Sequence, residues 1–110
     1  MDGSVFIAGA GVISAIGNNV AAHLAAFESG EAGMGEITLL DTVHRGQLPV
    51  AEVKLSNEEL TALTGLPARS SRTAMLSLVA AREAIADAAI PGIKDWRVGF
   101  VSANTVGGMD

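Results

Sequence analysis

A chain of 110 residues has room for one domain, and at that size folding buries only about two-thirds of the surface the unfolded chain exposes. Hydrophobic residues make up 49% and charged residues 17% of the chain, with a mean hydropathy of +0.40, so part of its surface is expected to be covered by something else. A net charge of −5 with 7 scattered Lys and Arg excludes an electrostatic case for nucleic acid or an anionic membrane, and the absence of Cys excludes disulfides, thiolate metal sites and a thiol nucleophile among these residues.

Val5-Phe6-Ile7-Ala8 is a continuous apolar run ending in Gly9-Ala10-Gly11, and it predicts a strand buried on both faces, as in a parallel sheet. After Gly17, Asn18 or Asn19 is placed to cap a helix whose apolar positions Val20, Leu24 and Phe27 recur at helical spacing until Gly30 supplies a left-handed stop. That helix is expected to lie on the sheet. Residues 31–49 are Gly-spaced and irregular, with a brief apolar stretch at Ile37 to Leu40, and read as a loop. Val50 to Val53 predicts a short edge strand.

A helix start follows, in which Ser56 and Glu59 cap each other reciprocally and Leu55 and Leu60 form the hydrophobic staple. The helix is expected to reach Leu63, where Gly65 ends it and Pro67 bars its return. The longest helix is predicted from about Ser71 to Ala89. Met75, Leu78, Val79 and Ile85 form its apolar stripe, while Ala74, Ala81, Ala84 and Ala88 stay small enough for close packing on more than one side. Pro91-Gly92 terminates it. Val98 to Ser102 predicts a second buried strand, leading into Asn104-Thr105-Val106-Gly107-Gly108. This is the alternation of an α/β fold, although two or three strands do not make a doubly covered parallel sheet by themselves. No apolar run approaches the roughly 18 residues of a membrane span, and Met1-Asp2-Gly3-Ser4 has no basic signal-peptide n-region. The chain is expected to be cytoplasmic.

Each candidate chemistry has a plainer structural reading. Gly9-Ala10-Gly11 after a strand suits a dinucleotide pyrophosphate, but Ser14 stands where the third glycine belongs and the helix begins only after Gly17. No acidic residue closes a second strand about 20 residues on, as a ribose contact requires. A structural turn is the better reading, and no cofactor is expected. His23 and His44 have no metal-ligand spacing and read as structural. Ser70, Ser71 and Ser77 read as caps or helix-face hydroxyls, Glu58 and Glu59 as helix-start charges, and Glu83 with Asp87 as a solvated edge near Arg82. Gly107-Gly108 permits close passage of the backbone. Taken alone, the residues describe an α/β fragment without an identifiable active site.

Three segments together resemble the opening of the β-ketoacyl synthase family. They are residues 5–18 (VFIAGAGVISAIGN), residues 80–85 (AAREAI), and Arg97-Val98-Gly99-Phe100-Val101 leading to Val106-Gly107-Gly108. The first is similar to the family's strand, G-x-G-V turn and S-x-x-G approach to a helix, and Gly30 to Gly35 resembles the loop after that helix. The resemblance implies a thiolase-like five-layered αβαβα fold of two related halves, usually a homodimer, with residues 1–110 as the incomplete first half. It implies an acyltransferase that moves an acyl chain from acyl carrier protein to a Cys. The enzyme then condenses that chain with a decarboxylating malonyl thioester in fatty-acid or polyketide synthesis, two His stabilising the enolate and its oxyanion. In the family those residues come later than position 110, so no catalytic residue is expected here, and His23 and His44 do not match the pair. Val106 matches the family position that lines the acyl pocket and is the candidate substrate-binding residue. Ala103 and Thr105 stand where glycines are common, and Ser71 where Asp is usual, as in a divergent branch. Two other readings stay open: a ketosynthase-like subunit that lacks the Cys and limits chain length beside a catalytic partner, and a nucleotide-binding α/β protein.

Overall fold

The computed structural model describes residues 2–105. Helix α1 (Val20–Ser29) begins where the Asn19 side chain accepts the Ala22 amide at 2.8 Å. It ends at Gly30, φ 74°, where the Glu31 amide donates to the Ala26 carbonyl at 2.9 Å. Helix α2 (Asn57–Thr64) carries the reciprocal cap: Ser56 Oγ accepts the Glu59 amide at 3.1 Å and the Glu59 carboxylate accepts the Ser56 amide at 2.7 Å. Helix α3 (Arg72–Ala88) is capped by Ser71, whose hydroxyl accepts the Ala74 amide at 3.2 Å. Its last turn closes on Ala89 at φ 47°. A left-handed residue falls one position before Ile90, which Pro91 forces out of the helical region.

The only strand pairing among the described residues is between β1 (Met34–Gly35) and β2 (Val50–Ala51), antiparallel with Met34 opposite Ala51 and Gly35 opposite Val50. The predicted edge strand is therefore present but shorter, and its partner lies in the stretch read as a loop. The two buried parallel strands predicted at residues 5–8 and 98–102 do not form. Val5, Phe6 and Ile7 are 94%, 84% and 93% exposed, and Val98, Phe100 and Val101 are exposed as well. An apolar run signals a need for cover, but a strand also needs a neighbour for its amides and carbonyls, and no described segment supplies one. Without a sheet beneath it, α1 buries His23 and Ala26 and leaves Leu24 and Phe27 in solvent, reversing the expected face. The observed class is mixed helix with one small two-stranded sheet.

The core sits in the α2–α3 pair, where Leu60 and Met75 are fully buried and the Thr61 hydroxyl lies 3.6 Å from the Met75 sulfur. Two arginines of α3 hold the ends of α2. Arg82 donates to the carbonyls of Leu63 and Thr64 at 2.9 and 2.8 Å, supplying the cation that the last turn of α2 lacks. Arg72 donates to Asn57 Oδ1 at 2.8 Å and to the Val53 carbonyl at 2.9 Å.

The N-terminal segment is laid against α3 by contacts that need glycine. A Cβ on Gly9 would meet the Ala84 carbonyl oxygen and stand 2.5 Å from the Ala88 nitrogen. One on Gly11 would meet the Ala80 carbonyl oxygen and stand 2.8 Å from the Ala84 nitrogen. Ala80, Ala84 and Ala88 form the matching small face on α3. The Glu83 and Asp87 carboxylates clamp this segment. Asp87 accepts the Ala10 amide at 2.9 Å, and Glu83 accepts the amides of Val12 at 2.9 Å and Val20 at 2.8 Å. Glu83 is thus a part-buried clamp, Asp87 remains on the solvated edge while holding Ala10, and Gly9-Ala10-Gly11 is a packing surface rather than a turn.

Glu52 plays a similar part for residues 38–40. Its carboxylate accepts the Thr38 hydroxyl at 2.7 Å and the amides of Thr38, Leu39 and Leu40 at 3.0, 3.1 and 3.1 Å. The Thr38 hydroxyl foremost, then the backbone amides, lowers the Glu52 carboxyl from the ordinary 4.5 to about 2. A depressed folded-state pKa stabilises above the unfolded value and ceases to do so as pH falls through the folded one. The Leu39 and Leu40 amide signals should therefore lose exchange protection between about pH 4.5 and about pH 2. Glu52→Gln should remove that pH dependence; an unchanged profile in the variant would assign the effect elsewhere.

The radius of gyration is 16.5 Å, against about 13 Å for a compact domain of this length. The chain exposes 8300 Å², whereas a folded monomer of its mass exposes about 5,700 Å². Studied as residues 1–110 alone, it is expected to self-associate through the bare apolar segments, with scattered mass rising across micromolar concentrations. A concentration-independent monomer in light scattering contradicts this.

Candidate functional site

The positions that suggested a nucleotide are already filled. The gap beside Gly9 and Gly11 holds the α3 backbone. The positive end of α1 receives the Glu83 carboxylate on the Val20 amide and the Asn19 side chain on the Ala22 amide. A pyrophosphate has neither the space nor the free donors that the dinucleotide fingerprint provides.

A cavity of about 610 Å³ runs between α3 and residues 100–104. Leu78, Ile85 and Phe100 supply its apolar wall, and Ser77, Ser102 and Asn104 bring polar groups to it. Its mostly apolar lining with a few polar groups is compatible with an alkyl chain carrying a polar head, although Ile85 and Phe100 are themselves exposed. Val106, the residue expected to line an acyl pocket, lies outside the described residues, as do Gly107 and Gly108.

A second arrangement involves a residue to which sequence reasoning gave no role. Ser14 and Gly17 exchange backbone hydrogen bonds at 2.9 and 3.3 Å, making a tight turn just before α1. Gly17 is required here because a Cβ would stand 2.6 Å from the Ala22 Cβ. The turn brings Ser14 Oγ to 2.6 Å from His23 Nε2. His23 Nδ1 lies 2.8 Å from the Asn19 carbonyl oxygen. A carbonyl only accepts, so Nδ1 carries a proton, and in the neutral ring Nε2 presents its lone pair to the serine. The Ile16 amide donates to the same Ser14 oxygen at 3.3 Å. His23 is buried, with its ring edge-on to Phe27 at a centroid distance of 6.5 Å, and Ser14 is half-buried.

The other sequence candidates stay apart from this pair. His44 is exposed among the turns of residues 42–47. Ser71 caps α3, and Ser77 faces the cavity. Among the described residues no three His, Asp or Glu side chains are placed to hold a metal ion, and no helix is long and apolar enough to cross a membrane.

No family model, no curated protein and no solved structure matches the chain.

Proposed function

We propose that residues 1–110 are the N-terminal portion of a β-ketoacyl synthase, the acyltransferase that condenses an acyl thioester with malonyl-acyl-carrier-protein in fatty-acid or polyketide synthesis. The observation that carries the reading is the pair of bare apolar segments at residues 5–8 and 98–102, the first running into the glycines packed on α3 and the second lining, through Phe100 and Ser102, a cavity beside α3. They are the segments that resemble the family's strands, and their lack of cover is what part of a thiolase-like αβαβα fold looks like without its remaining strands. The apolar cavity leading to Asn104 supports an acyl substrate.

On this reading residues 1–110 supply framework and part of the substrate wall. A Cys of the complete enzyme takes the acyl group as a thioester, and two His stabilise the enolate released by decarboxylation. The coding region beyond Asp110 tests this: a Cys at a strand-to-helix turn followed by two His supports a condensing enzyme. Another residue at that turn, with the rest of the pattern kept, makes the protein a non-catalytic partner that limits chain length. A downstream sequence with none of the pattern overturns the reading. In the complete enzyme Val106→Phe should shorten the acyl chains produced, since added volume in a packed pocket displaces methylenes; product analysis by mass spectrometry showing the same lengths would remove Val106 from the pocket.

A further inference from the structure

We propose that Ser14 is a base-activated nucleophile that takes the acyl group of small activated esters or the phosphoryl group of a dialkyl fluorophosphate. The relay has the parts such a group needs: a hydroxyl 2.6 Å from an imidazole nitrogen, and the imidazole's other nitrogen fixed 2.8 Å from a carbonyl. The orienting acceptor, Asn19, also caps α1, so the ring that accepts the proton is set by the helix itself. The Ile16 amide donates to Ser14 Oγ at 3.3 Å and helps to fix where the hydroxyl oxygen sits. Gly17 packs its turn onto Ala22, next to His23 in the chain, and the relay is in place before any ester arrives. His23 is buried, and Ser14 is only part-buried.

In the reaction the Oγ–H proton passes to His23 Nε2 as the Oγ–carbon bond forms. The ester's C–O bond then breaks, and its alkoxide leaves with the proton returned by the imidazolium. With a dialkyl fluorophosphate the Oγ–phosphorus bond forms, the P–F bond breaks and fluoride leaves with the proton. Neither step needs another reactant. The inference is independent of the synthase reading, because residues 1–110 contain no Cys and the readout is an adduct on one serine.

Diisopropyl fluorophosphate is the probe. Trypsin first cuts after Arg45, so Ser4, Ser14 and Ser29 share one peptide, and fragmentation assigns the adduct among them. The wild-type protein should carry a single diisopropylphosphoryl group on Ser14. His23→Gln should slow that labelling about 10²–10⁴-fold, the span that a positioned base contributes. A wild-type protein that stays unlabelled at Ser14 overturns the proposal without recourse to any variant. Equal labelling of wild type and His23→Gln overturns it too, since the serine would then be an ordinary surface hydroxyl.

Discussion

Gly11→Ala is expected to cost about 2–3 kcal/mol of stability, and Gly9→Ala nearly as much. At an unstrained site a glycine-to-alanine change gains about 0.4–1 kcal/mol by restricting the unfolded chain. Here the added carbon meets backbone atoms of Ala80 and Ala84, which no rotamer change moves aside. The collision outweighs the entropy, and the sign reverses. Gly35→Ala is the matched control, since a Cβ there finds nothing within 4 Å. Urea unfolding of the three variants beside wild type checks the expectation. Similar midpoints for Gly11→Ala and Gly35→Ala would mean that the N-terminal segment does not lie on α3.

Glu83→Ala should be the costliest single polar truncation, at about 3 kcal/mol. One carboxylate satisfies the amides of Val12 and Val20, both part-buried bonds, and hydrogen bonds to a charged group contribute about 1.5–3 kcal/mol each. Removing it strands two donors at once. Glu83→Gln keeps one acceptor oxygen and should lose about half as much. Asp87→Asn, with one exposed bond to Ala10, should lose least. Amide exchange separates a local clamp from general loosening. Val12 and Val20 should lose protection in Glu83→Ala while Leu60, fully buried in the α2–α3 pair, keeps its own. Uniform loss would place Glu83 in the core's stability rather than in the attachment of one segment.

What could be read from the sequence was what neighbours along the chain decide. The caps at Asn19, Ser56 and Ser71 and the left-handed stops at Gly30 and Gly65 are satisfied within a few residues, so residue type and spacing suffice to find them. The spacing of Glu83 and Asp87 does not reveal their backbone partners, which lie 63 to 77 residues away, since at i, i+4 they look like any exposed acidic edge; Asp87 is indeed exposed, whereas Glu83 is part-buried. Arg82, near that edge, closes the end of α2 through carbonyls 18 and 19 residues away, which its spacing likewise does not reveal. The glycines at 9 and 11 carried a real signal, close approach of backbone, but what approaches is α3. Residues 5–8 and 98–102 have the composition of buried strands, and composition says nothing about whether a partner strand is present. The Ser14–His23 contact depends on a turn at Gly17 that sets two residues nine apart side by side. The G-x-G that precedes Ser14 and the Gly17 that follows it were the available hints of a tight turn.

The most direct test of the proposed function is to supply the protein encoded by the complete reading frame with an acyl-carrier-protein thioester and malonyl-acyl-carrier-protein, and to follow the product by mass. The account predicts carbon dioxide release together with a β-ketoacyl thioester two carbons longer than the acyl donor. A folded protein that leaves both thioesters unchanged contradicts it.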